Sequence, residues 1–206
     1  MTSDQLGDQP GDLYLSRIPL DHVVLRSHRD LRDRGRVHRS VMSIFGDLGG
    51  DQHARSRGSV LFRIDEDRFC VLVQSAVAPV RNDVVTAKLP DLSGLPAGMP
   101  ARARVCVNAV TTKNRTRDGK TRQYREAVPE REAVDWIAGR LDGLTLVGVR
   151  DQRREVCRSG RSPLVLTTVD LDVIVTEPAR LVPLVRDGIG RGRAYGGGLI
   201  TLAPGS

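Results

Sequence analysis

Apolar and polar positions along the first half of the chain follow the pattern of a strand, a helix and a hairpin. The segment LYLSRIPLD (13–21) alternates with the period of two that is typical of a strand. A helix is predicted over 34–47, where apolar residues recur at helical spacing and form one apolar side. SVLFRID and FCVLVQSAV then predict a β-hairpin that turns about Glu66 and Asp67.

The second half of the chain repeats this order after a proline-rich connection at 88–100. The pattern predicts a strand at 101–110, a helix at 129–142, strands at 144–149 and 163–175, a helix at 177–187 and a final strand. Strand, helix, two strands, a weak or short helix and a strand is the order of a ferredoxin-like domain. The chain is therefore predicted to be α+β, with two tandem ferredoxin-like (RRM-like) domains and antiparallel sheets. We place these domains at 13–97 and 98–206, after a polar N-terminal tail (1–12) that is expected to be disordered.

The charge of the chain favours a polyanionic partner. There are 32 Lys and Arg against 25 Asp and Glu, which gives a formal net charge of +7. The cations, nearly all of them arginine, concentrate in three runs at 26–39, 101–125 and 150–161. Aromatic residues make up only 3% of the chain, so a sheet that reads RNA by stacking its bases is not expected. Phosphate contacts from arginine would dominate any RNA binding.

Cysteine usage and hydropathy indicate a cytoplasmic protein. Cys70, Cys106 and Cys157 lie far apart and show no C-x-x-C spacing, which argues against a zinc site or a disulfide framework. No apolar stretch approaches the length of a membrane span, and the N-terminus lacks the apolar region of a signal peptide. We therefore expect neither a metal nor a cofactor.

A glycine-rich loop, GIGRGRAYGGGLITLAP (188–204), precedes the last predicted strand. It is not a dinucleotide fingerprint, because Arg193 stands where the third glycine of G-x-G-x-x-G is required and a helix rather than a strand precedes it. Two interpretations remain open. The loop is either a tight turn on the surface or a loop whose backbone and arginines contact the phosphates of a polymer.

Four stretches of the chain resemble the CasE family, the CRISPR-associated endoribonucleases that process guide-RNA precursors in type I-E systems. LYLSRIPLD resembles the first strand of that family, and VLVQSA (71–76) resembles the third. The run NAVTTKNRTRDGK…REAVPEREAVDWIAGRL (108–141) resembles its central basic loop and tryptophan-bearing helix, and the glycine-rich loop resembles its closing segment. Together these stretches extend over 13–204, nearly the whole chain.

The resemblance implies a metal-independent endoribonuclease with two ferredoxin-like domains. Members bind the hairpin of CRISPR repeat RNA and cut pre-crRNA at the 3′ base of the stem. They then stay on the mature crRNA as a subunit of the Cascade complex, beside its other type I-E subunits. Such a cut uses the ribose 2′-OH as nucleophile, leaves a 2′,3′-cyclic phosphate and a 5′-OH, and needs a base, an acid and cations.

Histidine is the natural base near neutral pH, with an unperturbed pKa of about 6.5. Of the four histidines (His22, His28, His38 and His53), His38 in RGRVHRSV matches the catalytic histidine of the family. The surrounding arginines favour its neutral form. Arg193 stands where the family usually has lysine, and it would contact phosphate near the cut. The RNA-binding residues implied lie in the central loop, in a basic hairpin at 154–163 and in the glycine-rich loop: Lys113, Arg115, Lys120, Arg122, Arg154, Arg158, Arg161, Gly190, Gly192, Arg193 and Gly196.

The chain departs from the family at one catalytic position. Well-known members carry tyrosine three residues before the histidine, and this chain has Gly35 there. Arg36, which we include with His38 in the catalytic site, or another side chain such as Tyr195 would have to take over the role of that tyrosine. The alternatives are an RNA-hairpin-binding subunit that is catalytically weak or inactive, and an unrelated basic domain that binds other RNA.

Overall fold

The computed structural model describes residues 12–25, 31–46, 58–117 and 120–205. The first sheet is antiparallel and has the strand order β2-β3-β1-β4, which is the ferredoxin-like order. Its elements are β1 (Tyr14–Pro19), α1 (Arg34–Ser43), β2 (Leu61–Asp65), β3 (Cys70–Ser75) and β4 (Val85–Lys88). The apolar side of α1 covers one face of this sheet, and the two share a core that includes Ile18, Val37, Val41, Phe62 and Val73. The predicted hairpin about Glu66 and Asp67 is confirmed.

The second sheet repeats this arrangement with the order β10-β5-β9-β8. Its elements are β5 (Pro100–Val107), α2 (Ala133–Ala138), β8 (Leu144–Ser159), β9 (Ser162–Val175), α3 (Leu181–Asp187) and β10 (Ile200–Pro204). Both helices pack on one face of the sheet, over a core in which Val105, Ile137, Leu171, Leu181 and Ile200 are buried. The prediction of two ferredoxin-like units with antiparallel sheets is therefore confirmed, and the predicted boundary at 97/98 falls in the connection between β4 and β5.

Several predicted elements differ in the structure. The first unit has no helix between β3 and β4 in the described segment 76–84, because nine residues with Pro79 in their middle form bends and turns instead. Helix α1 ends at Ser43 rather than at 47. Helix α2 is shorter than the predicted 129–142, since a 3-10 turn (Glu130–Glu132) precedes it and Gly139 follows it. The pattern also failed to indicate β4, which has four residues.

The two basic segments of the second unit form strands. The predicted central loop is a two-stranded ribbon of β6 (Val110–Arg117) and β7 (Lys120–Ala127), and its residues 111–117 and 120–126 are exposed. Strand β8 continues well beyond the predicted 144–149, to 16 residues, whereas β9 (14 residues) matches the predicted 163–175 to within one residue, and the two pair as far as Ser159 and Ser162. The basic segment 154–163 is therefore the outer end of a long hairpin, which we call the β8–β9 tip.

A buried ion-pair network joins the two sheets. The Arg63 side chain is 2% exposed and donates to both carboxylate oxygens of Asp65, at 2.7 and 3.0 Å. It also donates to the main-chain oxygen of Arg104 (3.0 Å) and to the hydroxyl of Thr201 (3.2 Å), both in the second sheet. Arg104 in turn donates to both oxygens of Asp170. These bonds fix the relative position of the two units.

Candidate functional site

Helix α1 places His38 at the junction of the two units. Asp33 caps the helix, because its carboxylate accepts a hydrogen bond from the Arg36 amide (3.2 Å). The half-buried His38 imidazole stacks loosely on the ring of Phe62 in β2, with 6.4 Å between ring centroids and 17° between planes. The side chain of Arg36 is 57% exposed, and its Nε lies 3.4 Å from the Asp33 carboxylate. His38 therefore has a fixed aromatic neighbour, while Arg36 remains open to solvent.

The glycine-rich loop packs against α1 and β2 through a 3-10 turn at Arg193–Tyr195. Gly196 has a φ of +90°, and a Cβ there would lie 3.2 Å from Cε2 of Phe62, the ring on which His38 stacks. Phe62 thus connects the loop with the histidine. Tyr195, half-buried in the same turn, lies on the element that contacts α1.

Two further glycines of this loop lie against side chains of the second unit. Gly190 has a φ of +74°, and a Cβ there would lie 2.7 Å from Cη2 of Trp136 in α2. A Cβ on Gly192 would lie 3.1 Å from the Cβ of Asn108, where β5 ends and the ribbon begins. Close packing inside the protein therefore accounts for these glycines, and a role of Gly190, Gly192 or Gly196 in contacting RNA stays a prediction.

The half-buried Arg193 folds back on its own loop. Its Nε donates to the oxygen of Gly190 (3.3 Å) and its Nη2 to the oxygen of Gly188 (3.4 Å). These long bonds hold the guanidinium near the turn that contacts α1. Contact between Arg193 and a phosphate stays a prediction.

The β8–β9 tip has two different faces, because side chains alternate along a strand. Arg154, Val156 and Arg158 alternate with Glu155 and Cys157. Val156 is 65% exposed and Arg158 is also exposed, whereas Cys157 is buried. Arg161 lies exposed in the turn.

Arg154 is tied to the base of the ribbon. Its Nη1 donates to the oxygen of Val128 at 2.9 Å, so part of its hydrogen-bonding capacity is already used. Asn108, which lies at the same base just before β6, likewise donates to the oxygen of Val165 in β9 (2.8 Å). The ribbon therefore starts beside the β8–β9 tip.

The first turn of α1 lies along the β8–β9 tip. The amide of Arg158 donates to the oxygen of Arg32 (2.9 Å), and Asp33 forms a short parallel bridge with Arg158. Arg34, which is 4% exposed, forms an ion pair with Glu155. These contacts bring His38, the basic tip and the glycine-rich loop into one region of the molecule.

The four predicted RNA-binding cations of the ribbon share one of its faces, because paired residues and residues two apart along a strand point to the same side. Lys113 pairs with Glu126, and the hydrogen bond that it donates to this carboxylate raises the pKa of Lys113. The Arg115 guanidinium lies 5.1 Å from the centre of the Tyr124 ring. Arg122 pairs with Arg115 in the register, and Lys120 stands at the outer end of β7. Each of these four predicted RNA-binding side chains is exposed, but the carboxylate partly neutralises Lys113.

A cavity of about 370 Å³ lies between the end of β2, the start of α1 and β8. Its walls mix arginines with carboxylates, and Arg34, Arg104 and Arg153 are each paired with a carboxylate. Asp67 accepts hydrogen bonds from Arg153 and Arg104, and the bonds from Arg153 are the main reason that the pKa of Asp67 is held well below its usual range. This paired cluster reinforces the junction between the units.

The other sequence candidates for chemistry lie apart from this site or outside the described residues. His22 pairs with Asp83 at 3.3 Å, while His28, His53 and nearly all of the predicted N-terminal tail lie outside the described residues. The three cysteines are buried and free, and burial raises the pKa of Cys106 and Cys157. Within the described ranges, no group of three or more His, Cys, Asp and Glu side chains is placed to hold a metal ion. No helix in that part of the chain is long and apolar enough to cross a membrane.

Sequence reasoning missed two residues of the site, Phe62 and Glu155, and it did not foresee the ion pair of Arg34. The alternation of SVLFRID could have indicated Phe62 as an inward-facing residue of β2. The ion pair joins residues 121 positions apart, and no local pattern carries that information.

Comparison with solved structures identifies the fold independently. A structure of the CRISPR endoribonuclease Cse3 bound to a 19-nucleotide RNA is 23% identical, covers 94% of this chain and 100% of that chain, and superposes with a TM-score of 0.73. Cas6e from Escherichia coli K-12 is 24% identical, with 93% and 99% coverage and a TM-score of 0.65. A chain of a CRISPR RNA-guided surveillance complex is 23% identical, with 93% and 99% coverage and a TM-score of 0.60. At these identities the likeness shows a shared fold.

Comparison by sequence shows the family. No curated protein matches the chain. The model of a family described as CRISPR associated protein matches residues 13–204. The four stretches that resemble CasE begin and end at the same two residues. Because this match includes nearly the whole chain, the chain belongs to the family of CRISPR-associated proteins.

Proposed function

We propose that this protein is a metal-independent endoribonuclease that binds the hairpin of CRISPR repeat RNA. It cleaves pre-crRNA at the 3′ base of the stem and remains on the mature crRNA as a subunit of the type I-E surveillance complex, Cascade. The observation that carries the proposal is that the helix of His38 contacts two basic elements, the β8–β9 tip and the glycine-rich loop. The similar structures named above, Cse3 with RNA and a surveillance complex, support both the substrate and the partners.

RNA binding would rest on arginine and on shape. The exposed Arg158 and Arg161 of the tip, and Arg115 and Arg122 of the ribbon, are suited to the phosphates that line the grooves of an RNA stem. Arg154 would support the tip from the ribbon base. Binding of this kind weakens steeply as salt rises, because each phosphate contact releases counterions.

Cleavage would begin at His38. The neutral imidazole accepts the proton of the ribose 2′-OH, and the 2′-oxygen attacks the adjacent phosphorus. The 5′-oxygen leaves with a proton from a general acid, so that a 2′,3′-cyclic phosphate and a 5′-OH result. Arg36 and Arg193 supply positive charge for the phosphorane oxygens. The reaction takes its nucleophile from the substrate, so general acid–base groups and cations are sufficient for it.

The second candidate is a subunit that binds the RNA hairpin without cutting it, and Gly35 favours this reading. A side chain there has room, because an added Cβ would contact Asp33 at 3.5 Å and the β8–β9 tip at 3.9 Å. Gly35 thus leaves the first turn of α1 without the hydroxyl that a tyrosine would supply.

Cleavage of the host's own repeat RNA in EDTA tests the proposal. We expect one cut at the 3′ base of the stem, which His38→Ala abolishes while the Kd for the hairpin changes little. His22→Ala is the matched control, since that histidine pairs with Asp83 in the same unit, and it should cleave as the wild type does. Tight binding without cleavage by the wild type would establish the second candidate, and unchanged cleavage by His38→Ala would remove the histidine from the mechanism.

A further inference from the structure

The side that α1 turns to the β8–β9 tip is the side that carries His38. Arg34 and His38 are four residues apart, so their side chains lie one above the other on the helix. Arg34 is 4% exposed, and its ion pair with Glu155 crosses from the first unit to the second. The Arg34 guanidinium donates to Glu155 and also lies within hydrogen-bonding reach of the Cys157 thiol, so these polar contacts attach it to β8.

Two more contacts attach the same turn of the helix to the same strand. The bridge between Asp33 and Arg158 extends the sheet of the second unit to the residue that caps α1. A Cβ on Gly35 would lie 3.9 Å from the amide nitrogen of Gly160 and from the hydroxyl of Ser159, so the glycine faces the turn of the tip. Residues 33–35 are therefore attached to residues 155–160 at three neighbouring positions.

We propose that Arg34 and Glu155 are positioning residues that couple binding of the RNA stem at the β8–β9 tip to the alignment of His38 for cleavage. The inference rests on the proposed function. Arg158, whose exposed side chain would contact the stem, is three residues from Glu155 on one strand, and His38 is one helical turn from Arg34. A stem that seats on the tip thereby sets the distance between the imidazole and the 2′-OH, and small errors in such a distance lower a rate by up to about 100-fold.

The experiment replaces the ion pair by apolar side chains of similar size, Arg34→Met with Glu155→Leu. Such a replacement usually preserves folding, because neither ion is left buried alone. Single-turnover cleavage at saturating repeat RNA should fall about 10- to 100-fold, while the Kd for the hairpin stays close to that of the wild type. The matched control is Arg180→Met with Glu177→Leu, an exposed pair of the same residue types on the turn before α3, and it should leave both values unchanged.

Two additions keep the test decisive. Glu155→Gln retains an acceptor for Arg34, so it should show a smaller loss of rate even if the double variant folds poorly. Hydrogen–deuterium exchange gives a readout that does not need cleavage: bound hairpin should slow exchange of the α1 amides in the wild type, and much less in the double variant.

Each outcome has a distinct meaning. If the wild type cleaves and the folded double variant cleaves equally fast, the coupling is wrong and the proposed nuclease stands. If the wild type binds but does not cleave, the nuclease is refuted, and exchange alone then decides the coupling. Equal protection of α1 in both proteins would overturn it, and a wild type that does not bind the hairpin would overturn the coupling together with the proposed function.

Discussion

The Arg63–Asp65 pair in β2 offers a severe test of how much the buried network beside the second unit contributes to stability. In Asp65→Ala the Arg63 guanidinium, 2% exposed, would lose a partner that accepts two hydrogen bonds at 2.7 and 3.0 Å. Removing one partner of a buried ion pair costs about 3–5 kcal/mol, because the other charge stays out of water. In a protein of this size each kcal/mol corresponds to about 2–4 °C in Tm. The expected fall in Tm is therefore about 6–20 °C.

Thermal unfolding followed by circular dichroism, without RNA, measures this fall in Tm. Two further variants serve as controls. Asp91→Ala removes an exposed carboxylate whose bonds are to Ser93, and it should change Tm by less than about 2 °C. Replacing both ions, Arg63→Met with Asp65→Leu, should recover most of the loss, because no unpaired charge remains buried. A fall of less than about 2 °C in Asp65→Ala would refute the claim that this buried pair stabilises the fold.

Two other features give predictions of the same kind. Gly190→Ala should destabilise the protein by about 1–3 kcal/mol in urea unfolding, because its Cβ would lie 2.7 Å from the Trp136 indole and its φ is +74°. Gly94→Ala is the control, because no atom lies within 4 Å of a Cβ there, and it should leave the stability unchanged. Equal stabilities of the two variants would contradict the packing described for the loop. Hydrogen bonds from Arg153 lower the pKa of Asp67, so this carboxylate stabilises the fold fully above about pH 5 and progressively less as pH falls through the usual Asp pKa of about 4 toward the lowered value. Comparing Asp67→Asn with the wild type across that range should show their difference shrinking toward acid, and a constant difference would argue against the pair.

The sequence was sufficient for those parts of the fold that local periodicity encodes. Alternation predicted β1 and the β2–β3 hairpin, and helical spacing predicted α1 and α3, because each of these elements has one side in a core. The pattern of apolar residues missed the outer half of β8 for the opposite reason. Its residues are held by ion pairs and by contact with α1, so arginine and glutamate occupy positions where a strand pattern expects apolar residues.

In the candidate site, too, the sequence indicated what lies close together along the chain and missed the contacts between distant segments. His38 and the arginines beside it could be named from the sequence, since they lie within a few residues of one another and resemble a family motif. The loop glycines were noticed, but the reason for two of them is a tryptophan and a phenylalanine far away in the chain. The partners of Arg34 and Arg63 likewise depend on how two units meet, which no single segment encodes.

The β6–β7 ribbon has a consequence for how such a protein changes over evolutionary time. Its paired residues from 111 to 126 bury no side chain in either core. Substitutions, insertions or deletions there leave the packing of both units untouched, because exposed positions carry little of the folding free energy. Under the proposed function, the ribbon gives a lineage a surface on which contacts to RNA drift or adapt quickly, while the scaffold beneath it stays under the slower constraint of stability.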